Sequence, residues 1–280
     1  MKRLFAAGLW LTALLPLATA MAAGPQRVVT LGGSVTEIVF ALGQGDRVVA
    51  DDQSSLYPEA ATRLPRVGYY RAVPVEGVLA LAPDLVLASE QAGPPAALAR
   101  LASVGVKVTT VSDAASVQSL YDRIAQVAQA LGVPERGERL AAEVREALAT
   151  VAAMPASQRS TVLLMNRAGT PQAAGAGTAA DLVMRLAGLR NALSEQQGYK
   201  PLNAEALAAL APEVIVVTAA SIEGKGGVAQ VQTWPGVAAT PAARRGCIVV
   251  MDDLLALGAG PRLPEALRML KETACVASAG

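Results

Sequence analysis

A chain of 280 residues without a single histidine lacks every His-based catalytic triad, every His-ligated zinc site and the commonest general base. Metal or acid–base chemistry falls to Tyr, Cys, Met, Asp, Glu, Lys or Arg. Tyr69, Tyr70 and Arg71 stand together after Pro65 and Gly68, in a loop between a strand-like and a helix-like segment, where side chains can face a cleft. A phenol has a reference pKa of about 10, so it acts as an anionic oxygen ligand near neutral pH only where a cation stabilises the phenolate. Arg71, two residues beyond Tyr69, can donate a charge-assisted hydrogen bond to that oxygen. Tyr70 competes for the same role, and from residue types alone the pair also reads as an ordinary turn that packs one ring and exposes the other. Cys247 and Cys275 have no histidine to activate them, so no nucleophile–base pair is present. Gly32-Gly33 is a weak phosphate loop, because neither a G-x-G-x-x-G pattern nor a Walker lysine accompanies it. An enzyme is not expected.

The elements that must position these residues follow from composition and periodicity. A 52% hydrophobic and 17% charged chain is neither a disordered polyelectrolyte nor a low-complexity fibre. Lys2 and Arg3, the uncharged run Leu4–Leu17 and Ala20-Met21-Ala22 read as a secretory signal peptide over residues 1–22. No cysteine follows it to carry a lipid. Without Lys2 and Arg3, 22 basic residues remain against 23 acidic ones, so no basic field exists for nucleic acid or an anionic membrane. An oxidising compartment permits a Cys247–Cys275 disulfide, although two free thiols fit the spacing equally well.

Apolar runs at Arg27–Leu31, Arg47–Ala50, Asp84–Ala88 and Val106–Val111 alternate with helical patterns, which predicts βαβ units and a mostly parallel sheet. Ser34 is expected to cap a helix over Val35–Leu42, with Glu37 completing a capping box. Helical spacing then runs from Val117 to Leu131, is broken by Gly132 and Pro134, and resumes through Leu140, Val144, Leu148 and Val151 with a polar face of Arg and Glu. Alternation returns with Thr161–Met165, Thr178–Ala187, Glu213–Thr218 and Ile248–Met251. Across that helical strut the chain repeats itself: Glu76 to Leu87 and Glu205 to Val216 share E-x-φ-φ/A-A-L-A-P-[DE]-φ-φ-φ at a constant offset of 129 residues. These observations predict an α/β fold of two Rossmann-like lobes joined by a single long helix, with a ligand cleft between them. The expected divisions are 26–132 for the first lobe, 133–155 for the linking helix and 156–280 for the second.

The leader, the phrase R-V-V-T-L-G-G-S-V-T-E-I-V-F-A-L-G, the paired E…L-x-P-[DE] helices and the strut resemble the substrate-binding proteins of ABC importers for vitamin B12, siderophores and haem. Val67-Gly-Tyr-Tyr-Arg71, Glu90-Gln-Ala-Gly-Pro-Pro95, Gly177-Thr-Ala-Ala-Asp-Leu182, Gly198-Tyr-Lys-Pro-Leu202 and Leu257-Gly-Ala-Gly-Pro-Arg262 are similar, within that group, to the periplasmic haem-binding proteins. The resemblance implies a monomeric periplasmic carrier of ferric haem b, working with a membrane permease and its ATPase and, indirectly, an outer-membrane haem receptor. It makes Tyr69 the axial iron ligand, with Fe³⁺ supplying most of the stabilisation of the phenolate. Arg71 then serves the phenolate, a haem propionate or Glu76; Tyr70, Tyr199 and Lys200 are further candidates for the haem edge and propionates. With no histidine for the second lobe to offer, the iron is expected to be five-coordinate, or to take water, Met165 or Tyr199 as a sixth ligand. Met165 and Met184 read more readily as core. Glu76 and Glu205 match the acidic pair with which such carriers dock on permease arginines, and they are also helix-start carboxylates favoured by the macrodipole. A ferric siderophore or a corrinoid is the alternative cargo, and neither would require a ligating Tyr69.

Overall fold

The computed structural model describes residues 24–166, 171–224 and 226–273. The expected signal peptide and Cys275 lie outside them. The first sheet holds β1 (Val28–Leu31), β2 (Val48–Asp51), β3 (Leu85–Ser89) and β4 (Lys107–Val111) in the order β2-β1-β3-β4, all parallel. Every residue of β1 and β3 is buried, as uninterrupted apolar runs require when helices cover both faces. The edge strand β4 carries Lys107 and two threonines and is partly exposed, a composition that discourages further strand pairing.

The second sheet contains β5 (Ser160–Met165), β6 (Gln172–Ala174), β7 (Arg190–Asn191), β8 (Tyr199–Pro201), β9 (Val214–Thr218) and β10 (Ile248–Met251). Its order is β10-β9-β5-β6-β8, with β7 beside β5. The expectation of parallel pairing holds for β5, β9 and β10. β6 and β8, which the sequence did not announce, add antiparallel ribbons too short to leave a periodic signal.

The 129-residue repeat is present in the backbone. The helix Val75–Leu79 leads to β3, and the helix Ala204–Leu210 leads to β9, at the same offset. The helix Ala204–Leu210 closes on left-handed Ala211 at φ 43°, and the helix Val75–Leu79 is followed by left-handed Ala82 at φ 44°; each alanine stands immediately before Pro83 or Pro212. A proline cannot donate a hydrogen bond and disfavours helical backbone at the residue before it, so the helix cannot resume ahead of the strand.

Between the sheets run the helices Val117–Leu131 and Pro134–Ala152, separated by left-handed Gly132. Gly137 permits their close approach, since a Cβ there would stand 2.5 Å from the Ala128 methyl. One core joins both lobes through this strut, from Val28, Ile38 and Leu120 to Val144, Val151, Leu163 and Leu267. Separate apolar layers cover the far face of each sheet.

The expected Ser34 cap is corrected. The first helix spans Gly33–Ala41 and begins on Gly32 at φ 119°, with no side-chain cap. The Gly33 N–H is taken by Ser54 Oγ at 2.8 Å, so the neighbouring loop does the work assigned to a capping box. Ser34 instead receives the Arg123 guanidinium, and Glu37 receives Arg262.

Candidate functional site

The carboxyl ends of the parallel strands, where open α/β sheets bind ligands, border a cavity of about 350 Å³ between the lobes. The turn after β1 (Gly32–Ser34), Leu56 in the loop after β2, Tyr69, Tyr70 and Asp113 form one wall. Ala220 after β9 and the stretch from Asp253 to Gly258 after β10 form the other. The turn is held close by backbone contact: a Cβ on Gly33 would meet the Ser54 carbonyl oxygen at 2.2 Å.

Within this cavity the two tyrosines differ. Tyr69 is 39% exposed, and its ring meets that of Tyr70 edge-on with centroids 4.9 Å apart. Tyr70 is half-buried, and its hydroxyl accepts a 2.9 Å hydrogen bond from Arg71 Nε. Burial pushes the Tyr70 phenol up to about 12, with Arg71 pulling in the opposite direction. Arg71 Nη2 donates to Gln91 Oε1, and Gln91 in turn donates from Nε2 to the Asp113 carbonyl at 3.2 Å. The guanidinium is therefore placed between the tyrosines and the β3–β4 edge, with hydrogen bonds to Tyr70 and Gln91 and with the Tyr69 phenol as a further hydrogen-bonding and coulombic partner.

Several residues that hold this wall carry no local sequence signal. Fully buried Asp52 accepts the Gly32 N–H at 2.9 Å, the Ser54 N–H at 3.0 Å and hydroxyl at 2.8 Å, and the Tyr70 N–H at 3.2 Å. One carboxylate thus ties the β1 turn, the β2 loop and the tyrosine loop together. Asp113 pairs with fully buried Arg123 at 2.8 Å and accepts from Ser89 Oγ at 2.6 Å.

Asp51, beside Asp52, provides a pH-dependent test of this wall. Its Oδ1 accepts from Arg66 Nη1 at 2.7 Å, while its buried Oδ2 has no hydrogen-bond partner. Burial raises its pKa to about 7, partly countered by Arg66 and reinforced by Asp52. Because the folded value lies above the unfolded one, the associated stability is complete below about pH 4 and is lost as pH rises through 7. Asp51→Asn, which keeps an acceptor for Arg66, is expected to remove that loss. Urea unfolding at pH 5 and pH 8 checks it: wild type should weaken between the two relative to the variant, and parallel behaviour would contradict the assignment.

Comparison with known proteins gives the class of this cavity. A family model described as periplasmic binding protein matches residues 28–255. The chain belongs to that family. The family's members bind and carry ligands in the periplasm, and this binding protein is not an enzyme. It is 40% identical to the periplasmic heme-binding protein RhuT from Roseiflexus sp. RS-1 in its apo form, over 87% of this chain and 95% of that one, with a TM-score of 0.82. A periplasmic heme-binding protein from Pseudomonas aeruginosa is 38% identical over 91% and 94% of the two chains, also with a TM-score of 0.82. A vitamin B12-binding protein from Yersinia pestis is 30% identical over 73% of this chain and 74% of its own length.

In this periplasmic binding protein the other sequence candidates are dispersed. Tyr199 and Lys200 lie on the exposed edge strand β8, paired with Ala174 and Ala173, and do not line the cavity. Their phrase, a candidate for the haem edge and propionates, forms part of a sheet edge. Met165 packs on the core at the end of β5, and Met184 is fully buried; neither lines the cavity. Glu76 and Glu205 are exposed in the first turns of their helices. Cys247 is buried in the outer core of the second lobe. No described helix is long and apolar enough to cross a membrane.

Proposed function

We propose that this periplasmic binding protein carries ferric haem b in the cavity, with the Tyr69 phenolate as the protein ligand to iron, and delivers it to the permease and ATPase of an ABC importer. The observation that carries the ligand assignment is the contrast between neighbouring phenols: Tyr69 stands exposed in the cavity wall, whereas Tyr70 is half-buried and holds Arg71. Ferric iron is a hard cation that favours an anionic oxygen. Arg71 adds positive charge beside the phenol and can turn to a propionate. Leu56, Leu254 and Leu257 offer apolar surface to a macrocycle. Among the described residues no Met or Cys lines the cavity, which favours five-coordinate iron or a water ligand. The similarity to heme-binding proteins supports this cargo over the corrinoid of the vitamin B12-binding relative. Residues 26–132 and 156–280 serve as the two lobes, and 133–155 as the helix that limits their motion.

Titration with hemin tests the proposal. A saturable Soret change is expected, with none of comparable affinity for cyanocobalamin or a ferric siderophore; the absence of a saturable hemin response would overturn it.

Glu76 and Glu205 present one exposed carboxylate per lobe, at equivalent points of the repeat, as a two-point charge pattern able to orient the carrier on basic permease residues. The Glu76→Arg, Glu205→Arg double variant is expected to bind hemin as wild type does and to abolish stimulation of the reconstituted importer's ATPase. Unchanged stimulation would remove the docking role.

A further inference from the structure

We infer that Glu37 and Arg123, two buried side chains of the first lobe, grip the Asp252–Arg262 segment of the second lobe and so set the width of the cavity. This segment supplies Asp253, Leu254, Leu257 and Gly258 to the cavity wall, so its position relative to Tyr69 decides how closely the two walls approach. Within it, Asp252 Oδ1 accepts the Leu254 and Leu255 N–H groups at 3.0 Å each and lies 3.6 Å from Arg262 Nη2, while Asp253 Oδ2 fixes the segment to the second lobe by accepting the Ala220 N–H at 2.8 Å. The segment is therefore fixed on itself and to its own lobe, and its attachment across the cleft becomes the relevant variable.

Among the described residues, two attachments of this segment cross. Glu37, 3% exposed in the first helix, accepts the Arg262 backbone N–H at 3.0 Å, and its carboxylate lies 3.3 Å from Arg262 Nε. The guanidinium is also stacked 3.5 Å from the Tyr57 ring centroid, so two first-lobe residues hold it by charge and by face. The approach is tight, since a Cβ on Gly260 would stand 3.1 Å from the Glu37 carboxyl carbon. Arg123, fully buried, is held by Asp113 and Ser34 and reaches the Gly258 carbonyl at 3.4 Å. The segment is thus tied at both its cavity end and its helix end.

Burying a carboxylate opposes its ionisation, and desolvation holds the Glu37 pKa above the usual carboxylate range with Arg262 acting against it. A well-packed apolar pair would fill the same space without that cost. An ion pair reinforced by a backbone hydrogen bond and an aromatic face has directional geometry that apolar packing lacks, which suits a contact that must reproduce one separation between two lobes.

The ligand readout of this inference rests on the haem reading, whereas its conformational readout does not. In ligand-free protein, Arg262→Met is expected to raise amide hydrogen exchange across residues 252–258 about tenfold while β9 keeps its protection. The same variant should release hemin about tenfold faster with an association rate within about threefold of wild type. Arg262→Lys, which keeps charge without the planar fork, should fall between. Exposed Tyr57 offers Tyr57→Leu as a variant whose folding is secure, with an expected threefold effect in the same two measurements. Unchanged exchange at 252–258 in both Arg262→Met and Tyr57→Leu would overturn the inference, as would raised exchange without faster release. Should wild type fail to bind hemin, the haem reading falls and the exchange comparison alone decides the grip.

Discussion

Replacing Tyr69 with alanine is expected to weaken hemin binding about 100-fold, about 2.7 kcal/mol, and to shift the Soret and visible bands of whatever complex remains. The loss should come from the phenol oxygen rather than the ring, so Tyr69→Phe should reproduce most of it. Tyr70→Phe should cost no more than about threefold, because that hydroxyl holds Arg71 and its proton is bound tightly by burial. Ordinary folding loss would not imitate this pattern: Tyr69 is 39% exposed, and substitutions at such positions usually change stability by less than about 1 kcal/mol. The two phenylalanine variants decide between neighbouring ligands. A larger loss in Tyr70→Phe than in Tyr69→Phe would transfer the assignment to Tyr70, and unchanged spectra in Tyr69→Ala would remove tyrosinate ligation altogether.

What could be read from the sequence depended on the range over which each residue acts. The apolar runs of β1, β3 and β9 are buried on both faces, so strand type and placement were visible to within one residue. The paired Leu-Ala-Pro endings were visible because Pro83 and Pro212 act on the residue directly before them, and Ala82 and Ala211 carry the same left-handed turn. The place of Tyr69 in the cavity wall was legible through its loop setting after Pro65 and Gly68. Contacts made across the fold left no such mark. Glu37 had a local explanation as a capping-box residue, and its true partner, Arg262, lies 225 residues away. Arg123 sat in the expected amphipathic helix as one more polar residue, yet it is fully buried beneath the cavity. Gly198-Tyr-Lys-Pro gave no strand signal because it and its pairing partner, Gln172–Ala174, are only three residues long as strands, below the length at which alternation can be recognised.

Asp52 is the extreme case of such a hidden residue, and removing it should have the largest effect on the fold of any change near the cavity. Asp52→Ala would strand the N–H groups of Gly32, Ser54 and Tyr70, which its carboxylate accepts at 2.9, 3.0 and 3.2 Å. The Ser54 and Ser55 hydroxyls can rotate to new acceptors, but backbone donors cannot. At about 1–3 kcal/mol for each unsatisfied buried donor, and with some rehydration at the cavity edge, the expected loss is about 3–4 kcal/mol, or a fall in Tm of about 10 °C. Hemin affinity should fall about tenfold even well below the transition, because the turn at Gly32–Ser34 and the loop that carries Tyr69 lose their common anchor. Asp52→Asn separates the two contributions: one oxygen still accepts the Gly32 N–H, while the amide nitrogen cannot accept from Ser54 or Tyr70. Its stability should lie between wild type and alanine, but its hemin affinity should lie nearer alanine, since the tyrosine loop is the part released. A Tm within about 2 °C of wild type in Asp52→Ala would show that the three donors find water, and would leave the tyrosine loop anchored by Gln53 N–H to the Gly68 carbonyl at 2.8 Å instead.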